Sequence, residues 1–379
     1  MPVTTRLKGF NFLFFSMFAL FISFLPVYAD GIGISGTHIG IVLASGSLIS
    51  IVFQPLWGMV SDRARTIRKV LLFLLSCSIV TGVLMFNTSA LWSFALFVAL
   101  MNVFYLPTDP LVESLNFQTT QRERVSYGSV RMFGAMGYAV TSLLAGYGLQ
   151  QWGMGSLAWI YGAVGVTALC LAVTIADVKA SAKPAVFGHL KQFFTQSHAL
   201  SFFLLVLLVA IPHKMNDTFI GLYMEQLGGS VRLTGLSWFV MTLTETVFFA
   251  LCARLIKPGK ERLFMTLAAG MYAVRFLLSG LAEHPYELVA VQALQGVTFV
   301  LFYVGAMQYL YAIVPEQWKS TGQTMLTVLF FGVSGIIGSS IGGWIIEARG
   351  GGTLYEGMAA FAAVGFLLSF ALLKKPKAD

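Results

Sequence analysis

Apolar residues run through this chain in long blocks separated by short polar turns. They neither alternate as in strands nor stripe one face of a soluble helix. Each block approaches the roughly 20 residues that an α-helix needs to cross a bilayer. Twelve such helices are predicted, at about 10–29, 37–59, 69–86, 91–115, 126–149, 155–176, 199–224, 233–254, 263–282, 287–313, 321–346 and 355–373. The longest polar interruption, DVKASAKPAVFGHLKQFFTQSH, falls between the sixth and seventh. It divides the chain into two six-helix halves, 1–176 and 199–379, joined by a cytoplasmic linker at 177–198.

Composition agrees with this pattern. The 379 residues are 57% hydrophobic and only 11% charged, with a mean hydropathy of +0.79. A soluble domain carries roughly a quarter charged residues. The expected class is therefore an all-α, multi-pass membrane protein, with the lipid bilayer as its surroundings. Charge placement then orients it. Arg232 and Arg349 fall on one side of the spans and Arg131, Lys214 and Arg275 within them. The other nineteen of the 24 basic residues lie on the side of the N-terminus. Cytoplasmic loops retain positive charge, so both termini are expected in the cytoplasm. The net charge of +8 follows from this topology and is no nucleic-acid footprint; nonspecific attraction to anionic lipid is expected.

Several features exclude other classes. The first apolar block exceeds a signal-peptide core, and FISFLPVYADG offers no small-x-small cleavage site. Cys77, Cys170 and Cys252 fall within spans and read as small buried packing residues, not a disulfide framework. The sequon at Asn87-Thr88-Ser89 is assigned no role. Trp92, Trp152 and Trp318 near span ends read as interfacial anchors. No GxxxxGK[ST] occurs and no GxGxxG follows a strand, while His38, His189, His198, His213 and His284 make no metal-like cluster. Neither an enzyme nor an ATP-driven pump is expected, and no cofactor or metal. A transporter driven by a gradient remains.

Against that background, charged residues inside spans stand out, because an ionised group at the bilayer centre costs at least roughly 2.5–3.5 kcal/mol. DPLVESLNFQTTQRERVSYGSVRMFG carries Asp109, Glu113 and Arg131. Glu113 and Arg131 each lie nine residues from Arg122, so a helical hairpin brings them to one depth, up to roughly 13 Å from the turn. Glu245 and Arg275 repeat the arrangement about Lys260, fifteen residues to either side. Lys214 and Asp217, three apart, share a face. Such pairs could simply tie helices together. Desolvation, however, offsets much of a buried pair's attraction. Buried carboxylates near an arginine also have the opposing influences on protonation that proton coupling needs.

FQPLWGMVSDRARTIRKVLL at 53–72 resembles the loop between the second and third helices of the major facilitator superfamily. More narrowly it is similar to the branch of lactose permease and the oligosaccharide–proton symporters. Gly58, Asp62, Arg63, Arg68 and Lys69 match that gating loop, with one extra residue and Arg65 where a glycine is usual; RLIKPGKER at 254–262 is a degenerate counterpart. Pro110, Val112 and Glu113, then Tyr127, Gly128, Arg131, Met132, Phe133, Gly134 and Gly137, match the branch in the fourth and fifth helices. Glu245 and Arg275 match it in the eighth and ninth.

The resemblance implies that Glu113 and Arg131 bind substrate hydroxyls and that Tyr138 stands where a tryptophan stacks on a sugar ring. It implies substrate binding or a proton relay at Glu245, with Arg275, Asp217 and Lys214 as coupling partners. Departures lie in the tenth helix, where Gln292, Gln295 and Thr298 stand in place of a lysine, a histidine and a glutamate; Gln295 is placed among the substrate-binding residues. In the seventh helix, Lys214 replaces an acid. The expected function is proton-coupled uptake of a small polar solute, a sugar or glycoside, by a monomeric carrier. A permease for nucleosides or aromatic acids, a uniporter and an efflux antiporter are the alternatives, although the fifth helix lacks the proline of drug antiporters. Asp109 lies outside the match, one turn before Glu113, as either an addition to the site or an alternative proton carrier. Gly332, Gly335, Gly338, Gly342 and Gly343 are expected to serve close helix packing.

Overall fold

The computed structural model describes residues 2–178, 197–255, 259–314 and 319–373. Most of the expected linker, Lys257, Trp318 and the last three lysines lie outside these residues, as does the side chain of Cys252. Everything regular among the described residues is helical, as the apolar blocks require in a medium that cannot hydrogen-bond an exposed backbone. In chain order the helices are α1 (Val3–Gly31), α2 (Gly36–Ala64), α3 (Ile67–Met85), α4 (Leu91–Phe104), α5 (Thr108–Arg122), α6 (Tyr127–Trp152) and α7 (Ser156–Thr174). After the undescribed segment come α8 (Ser197–Gln226), α9 (Val231–Leu255), α10 (Glu261–Gly280), α11 (Pro285–Gln292), α12 (Gln295–Ile313), α13 (Lys319–Thr327) and α14 (Ser334–Leu372). A π-helical stretch, Val328–Val333, joins α13 to α14.

Eleven helical runs among the described residues are long and apolar enough to cross a membrane. The last, Gly322–Leu372, has 51 residues, about 75 Å at 1.5 Å per residue. That is more than twice a hydrocarbon core of roughly 30 Å. It bends at Gly350, whose backbone (φ 82°, ψ 170°) is non-helical, within the turn expected between the last two blocks.

Two spans expected to be continuous are broken. The fourth stops at Phe104 and restarts at Thr108, with Pro107 at the junction. The tenth stops at Gln292 and restarts at Gln295. Conversely, α5 extends to Arg122 and takes in most of QTTQRER, which the sequence reading assigns to a turn.

Helices from the two parts of the chain meet tightly at the end opposite the N-terminus. A methyl group on Gly40 would lie 2.2 Å from the Ser339 carbonyl oxygen, and one on Gly343 2.4 Å from that of Gly36. One on Gly235 would lie 2.3 Å from the Ser142 carbonyl oxygen. These glycines let α2 close on α14 and α6 on α9. Gly342 packs on the Phe219 ring and Gly338 on the backbone of Ile211 in the same way. Large apolar side chains such as Leu144, Leu367 and Trp159 point outward, as lipid-facing positions should. Trp92 and Trp152 are 84% and 68% exposed, consistent with anchors at the bilayer surface. Cys170 is exposed on that outer face and Cys77 half-buried, so neither is the core residue expected.

Candidate functional site

The two broken spans flank a cavity of about 610 Å³. Phe15, Phe18, Asp109, Arg131 and Tyr138 line it from one part of the chain. His213, Asp217, Trp238, Glu245, Gln295, Phe299 and Phe331 line it from the other. It extends past Tyr127 and Gly128, in the first turn of α6, toward the end where α1 begins, away from the glycine contacts.

The hairpin arithmetic holds for the first pair. Arg131 Nε lies 2.7 Å from Glu113 Oε1 as an ion pair, with both side chains partly exposed, and of the two only Arg131 lines the cavity. Tyr127 donates to the other Glu113 oxygen, and the guanidinium lies over the Phe15 ring at 4.1 Å. The carboxylate is thereby engaged on both oxygens, and the arginine is held flat against an aromatic wall. Asp109 lies in the first turn of α5. Among the described residues its buried Oδ1 has no hydrogen-bond partner, and the residue lines the cavity.

The second pair is not formed as expected. Arg275 is fully buried and directs its guanidinium at neutral groups: Nη1 donates to Gln295 Oε1 and to Thr298 Oγ1, and Nη2 donates to Gln292 Oε1. Gln295 in turn donates from Nε2 to Glu245 Oε1 at 2.9 Å. Glu245 and Arg275 therefore communicate through Gln295. The break before Gln295 explains this, since it swings the first turn of α12 between α9 and α10. The tenth-helix departures are the arginine's own hydrogen-bond acceptors.

Lys214 and Asp217 do pair, at 3.1 Å, but only Asp217 lines the cavity. The sequence reading missed His213. It is buried, with Nε2 3.5 Å from Asp217 Oδ2 and Nδ1 3.0 Å from the Tyr272 hydroxyl. Its ring stacks on Phe299 at 4.8 Å and also touches Phe330 in the π-helical stretch, the kind of irregularity often found at functional sites. Among the described residues no cluster suits a metal ion.

Tyr138 takes the expected place on the wall. Its hydroxyl is 3.1 Å from Ser23 Oγ, and its ring centroid is 5.8 Å from that of Trp238 on α9. Trp238 was also missed; its indole nitrogen has no partner. The cavity thus offers an adjoining, tilted aromatic pair beside polar side chains, the combination common in small-molecule sites.

The gating loop is arranged differently from the resemblance. Among the described residues, Asp62 forms no ion pair with Arg63, Arg68 or Lys69. Arg68 instead donates from Nη2 to the Val173 carbonyl, and its backbone N–H donates to Asp177 Oδ1 at 3.0 Å. Thr66 donates to Asp177 Oδ2 at 2.5 Å. Partial desolvation of Asp177 is outweighed by the hydrogen bonds from Thr66, Arg68 and Val178 and by the Arg68 charge, which hold its carboxyl below the usual aspartate value. Arg65 ends α2 in the left-handed conformation (φ 53°, ψ 32°), so the backbone keeps the shape a glycine favours at that position. A methyl group on Gly58 would meet open space, so close helix approach does not require that glycine here.

Residues 4–356 match the MFS_1 like family. The chain is 26% identical over 380 residues to the uncharacterized transporter YwbF of Bacillus subtilis (strain 168), covering 98% of this chain and 94% of that protein. It is 24% identical over 371 residues to a maltose permease of Geobacillus stearothermophilus, covering 97% and 94%. The solved structure of the nucleoside transporter NupG superposes with a TM-score of 0.87 at 16% identity, covering both chains completely. That likeness concerns the fold.

Proposed function

The chain belongs to the MFS_1 like family of membrane transporters, and we propose that it takes up a small hydroxylated solute, a sugar or glycoside, together with protons. It is a multi-pass carrier of the bacterial cell membrane and not an enzyme.

The topology in this reading is twelve crossings in two six-helix halves, with both termini cytoplasmic. The kink at Gly350 divides the last helical run into two crossings, and the positive charge of the terminal side sets the orientation. The cavity then faces the cytoplasm, and the glycine contacts seal the outer side. The breaks in the fourth and tenth spans fall at corresponding places in the two halves. Paired interruptions of this kind mark the substrate site in transporters built from repeats.

The observation that carries the substrate reading is Arg131, backed by Glu113, on a cavity wall shared with the adjoining Tyr138 and Trp238 rings. A charge-assisted acceptor and donor suit vicinal hydroxyls, and the aromatic pair offers a surface for one apolar face of a sugar ring. The maltose permease likeness supports the same class. Protons are the coupling ion in this reading because the cavity wall holds carboxylates that can change charge. Glu245, linked through Gln295 to Arg275, and Asp217, linked to Lys214 and His213, are coupling candidates. Asp62, Arg63, Arg68, Lys69 and Gly58 form the moving loop.

A thermal-shift screen of the purified carrier with maltose, phenyl glycosides, nucleosides and aromatic acids tests the substrate. Stabilisation by sugars or glycosides is expected; stabilisation by nucleosides or carboxylates alone overturns it. The neutral surroundings of Arg275 favour a second reading, uniport. Uptake by proteoliposomes without alkalinisation of the medium would establish it.

A further inference from the structure

Charged groups around the cavity balance on one side and not on the other. From α8 onward, Asp217 has Lys214 at 3.1 Å, and Glu245 reaches Arg275 through Gln295. Before the undescribed segment, two carboxylates, Asp109 and Glu113, have one cation between them, Arg131. The geometry allots that cation to Glu113, at 2.7 Å, with Tyr127 on the second oxygen. Asp109 is left with a buried Oδ1 that receives no hydrogen bond. The groups acting on it are Glu113 from its own helix, Arg131 and Tyr127 from α6, and Tyr105 at the α4–α5 break. α1 offers only Phe15 and Phe18 on that wall of the cavity, and no titratable side chain of α2 or α3 is among those acting on it.

We propose that Asp109 binds the proton that crosses with the solute, a deepening that rests on the symport reading above. A carboxylate left without a partner in a low-dielectric wall is costly, and a proton removes the charge without a second side chain. An O–H bond forms on the carboxylate with a proton from water at one face, and the proton returns to water at the other. In its neutral form Asp109 becomes a hydrogen-bond donor, available to a solute hydroxyl held by the Glu113–Arg131 pair one turn away. Release is equally provided for. The first turn of α5 favours a negative charge through the helix dipole, and the cavity wets the site when open. The break in the fourth span, which places Asp109 at a helix start, thus makes the proton both bound and releasable.

Infrared difference spectroscopy of the lipid-reconstituted carrier tests this without any solute. Across a pH series the wild type should show the carbonyl stretch of a neutral carboxyl group that disappears as pH rises. Asp109→Asn should lose one component of that band, a component that Glu113→Gln and Glu245→Gln keep, and Asp109→Glu should restore it at a shifted midpoint, which also excludes misfolding as the cause. A wild-type band that Asp109→Asn leaves undiminished, or no such band in the wild type, overturns the assignment. Because no solute is present, that failure is separate from the failure of the symport reading. The latter is read from maltose uptake that ignores an imposed proton gradient in wild-type proteoliposomes.

Discussion

The side-chain carbonyl of Gln295 accepts a hydrogen bond from Arg275, and its amide is passed on to Glu245. One neutral residue therefore satisfies a fully buried cation and positions a carboxylate on the cavity wall. Gln295→Leu should remove both contacts, leaving Arg275 with Gln292 and Thr298 alone and Glu245 Oε1 without its donor. Leaving a buried hydrogen-bonding group unsatisfied costs roughly 1–3 kcal/mol, more for a charged one. Thermal unfolding in detergent should show a large fall in Tm, while Glu245→Gln, which keeps an acceptor in place, should stay close to wild type. An unchanged Tm for Gln295→Leu would refute this account.

Arg131→Lys keeps the charge but loses the flat guanidinium that lies on Phe15 and pairs with Glu113. Lysine cannot reproduce that geometry. Affinity for the solute identified by thermal shift should fall at least about tenfold, equivalent to ~1.4 kcal/mol, and Glu113→Gln should act in the same direction. Isothermal titration with equal affinities in all three proteins would remove this pair from the site.

Sequence reading located the Glu113–Arg131 pair because a hairpin of two regular helices needs only counting. It failed for Glu245 and Arg275, where the same counting took no account of a third helix inserting Gln295. The break that inserts it has little local signature. Pro107 lies in the break of the fourth span and Pro110 in the first turn after it, whereas the tenth has only Gly296 just after its break. That glycine lies against α9, where a methyl group would be 2.4 Å from the Thr244 carbonyl oxygen. His213 and Trp238 were invisible for another reason. A lone polar-tipped ring in an apolar run has no periodicity of its own, and only packing shows that both face the cavity. The gating-loop motif identified the family correctly while leaving the partner of Arg68 unforeseen, since Asp177 lies more than a hundred residues away.

Gly40 and Gly235 should govern which end of the cavity is open. A side chain at either position collides with backbone across the outer seal, and backbone cannot yield as a flexible side chain can. Gly40→Val and Gly235→Val together should favour separation of α2 from α14 and of α6 from α9. Spin labels placed on those helices near residues 36 and 346 should report longer distances than in the wild-type background. Unaltered distances in a folded double variant would show that the seal does not depend on these contacts.

Asp177 ties the turn between α2 and α3 to the end of α7 through Thr66 and the Arg68 backbone. Its carboxyl is held below its ordinary value, so the folded state prefers the ionised form. The linkage follows directly. The stabilising contribution is fully present above the unfolded value of about 3.9 and is lost as pH falls through the lower folded value. Asp177→Asn should therefore lower Tm at pH 7, and its difference from wild type should shrink as pH approaches about 3. Paired thermal melts at the two pH values check this. A deficit that is equally large in acid would mean that the residue acts through shape, with no contribution from its charge. Thr66→Val removes both that donor and the acceptor that caps α3 through the Lys69 N–H, so part of its deficit should persist in acid.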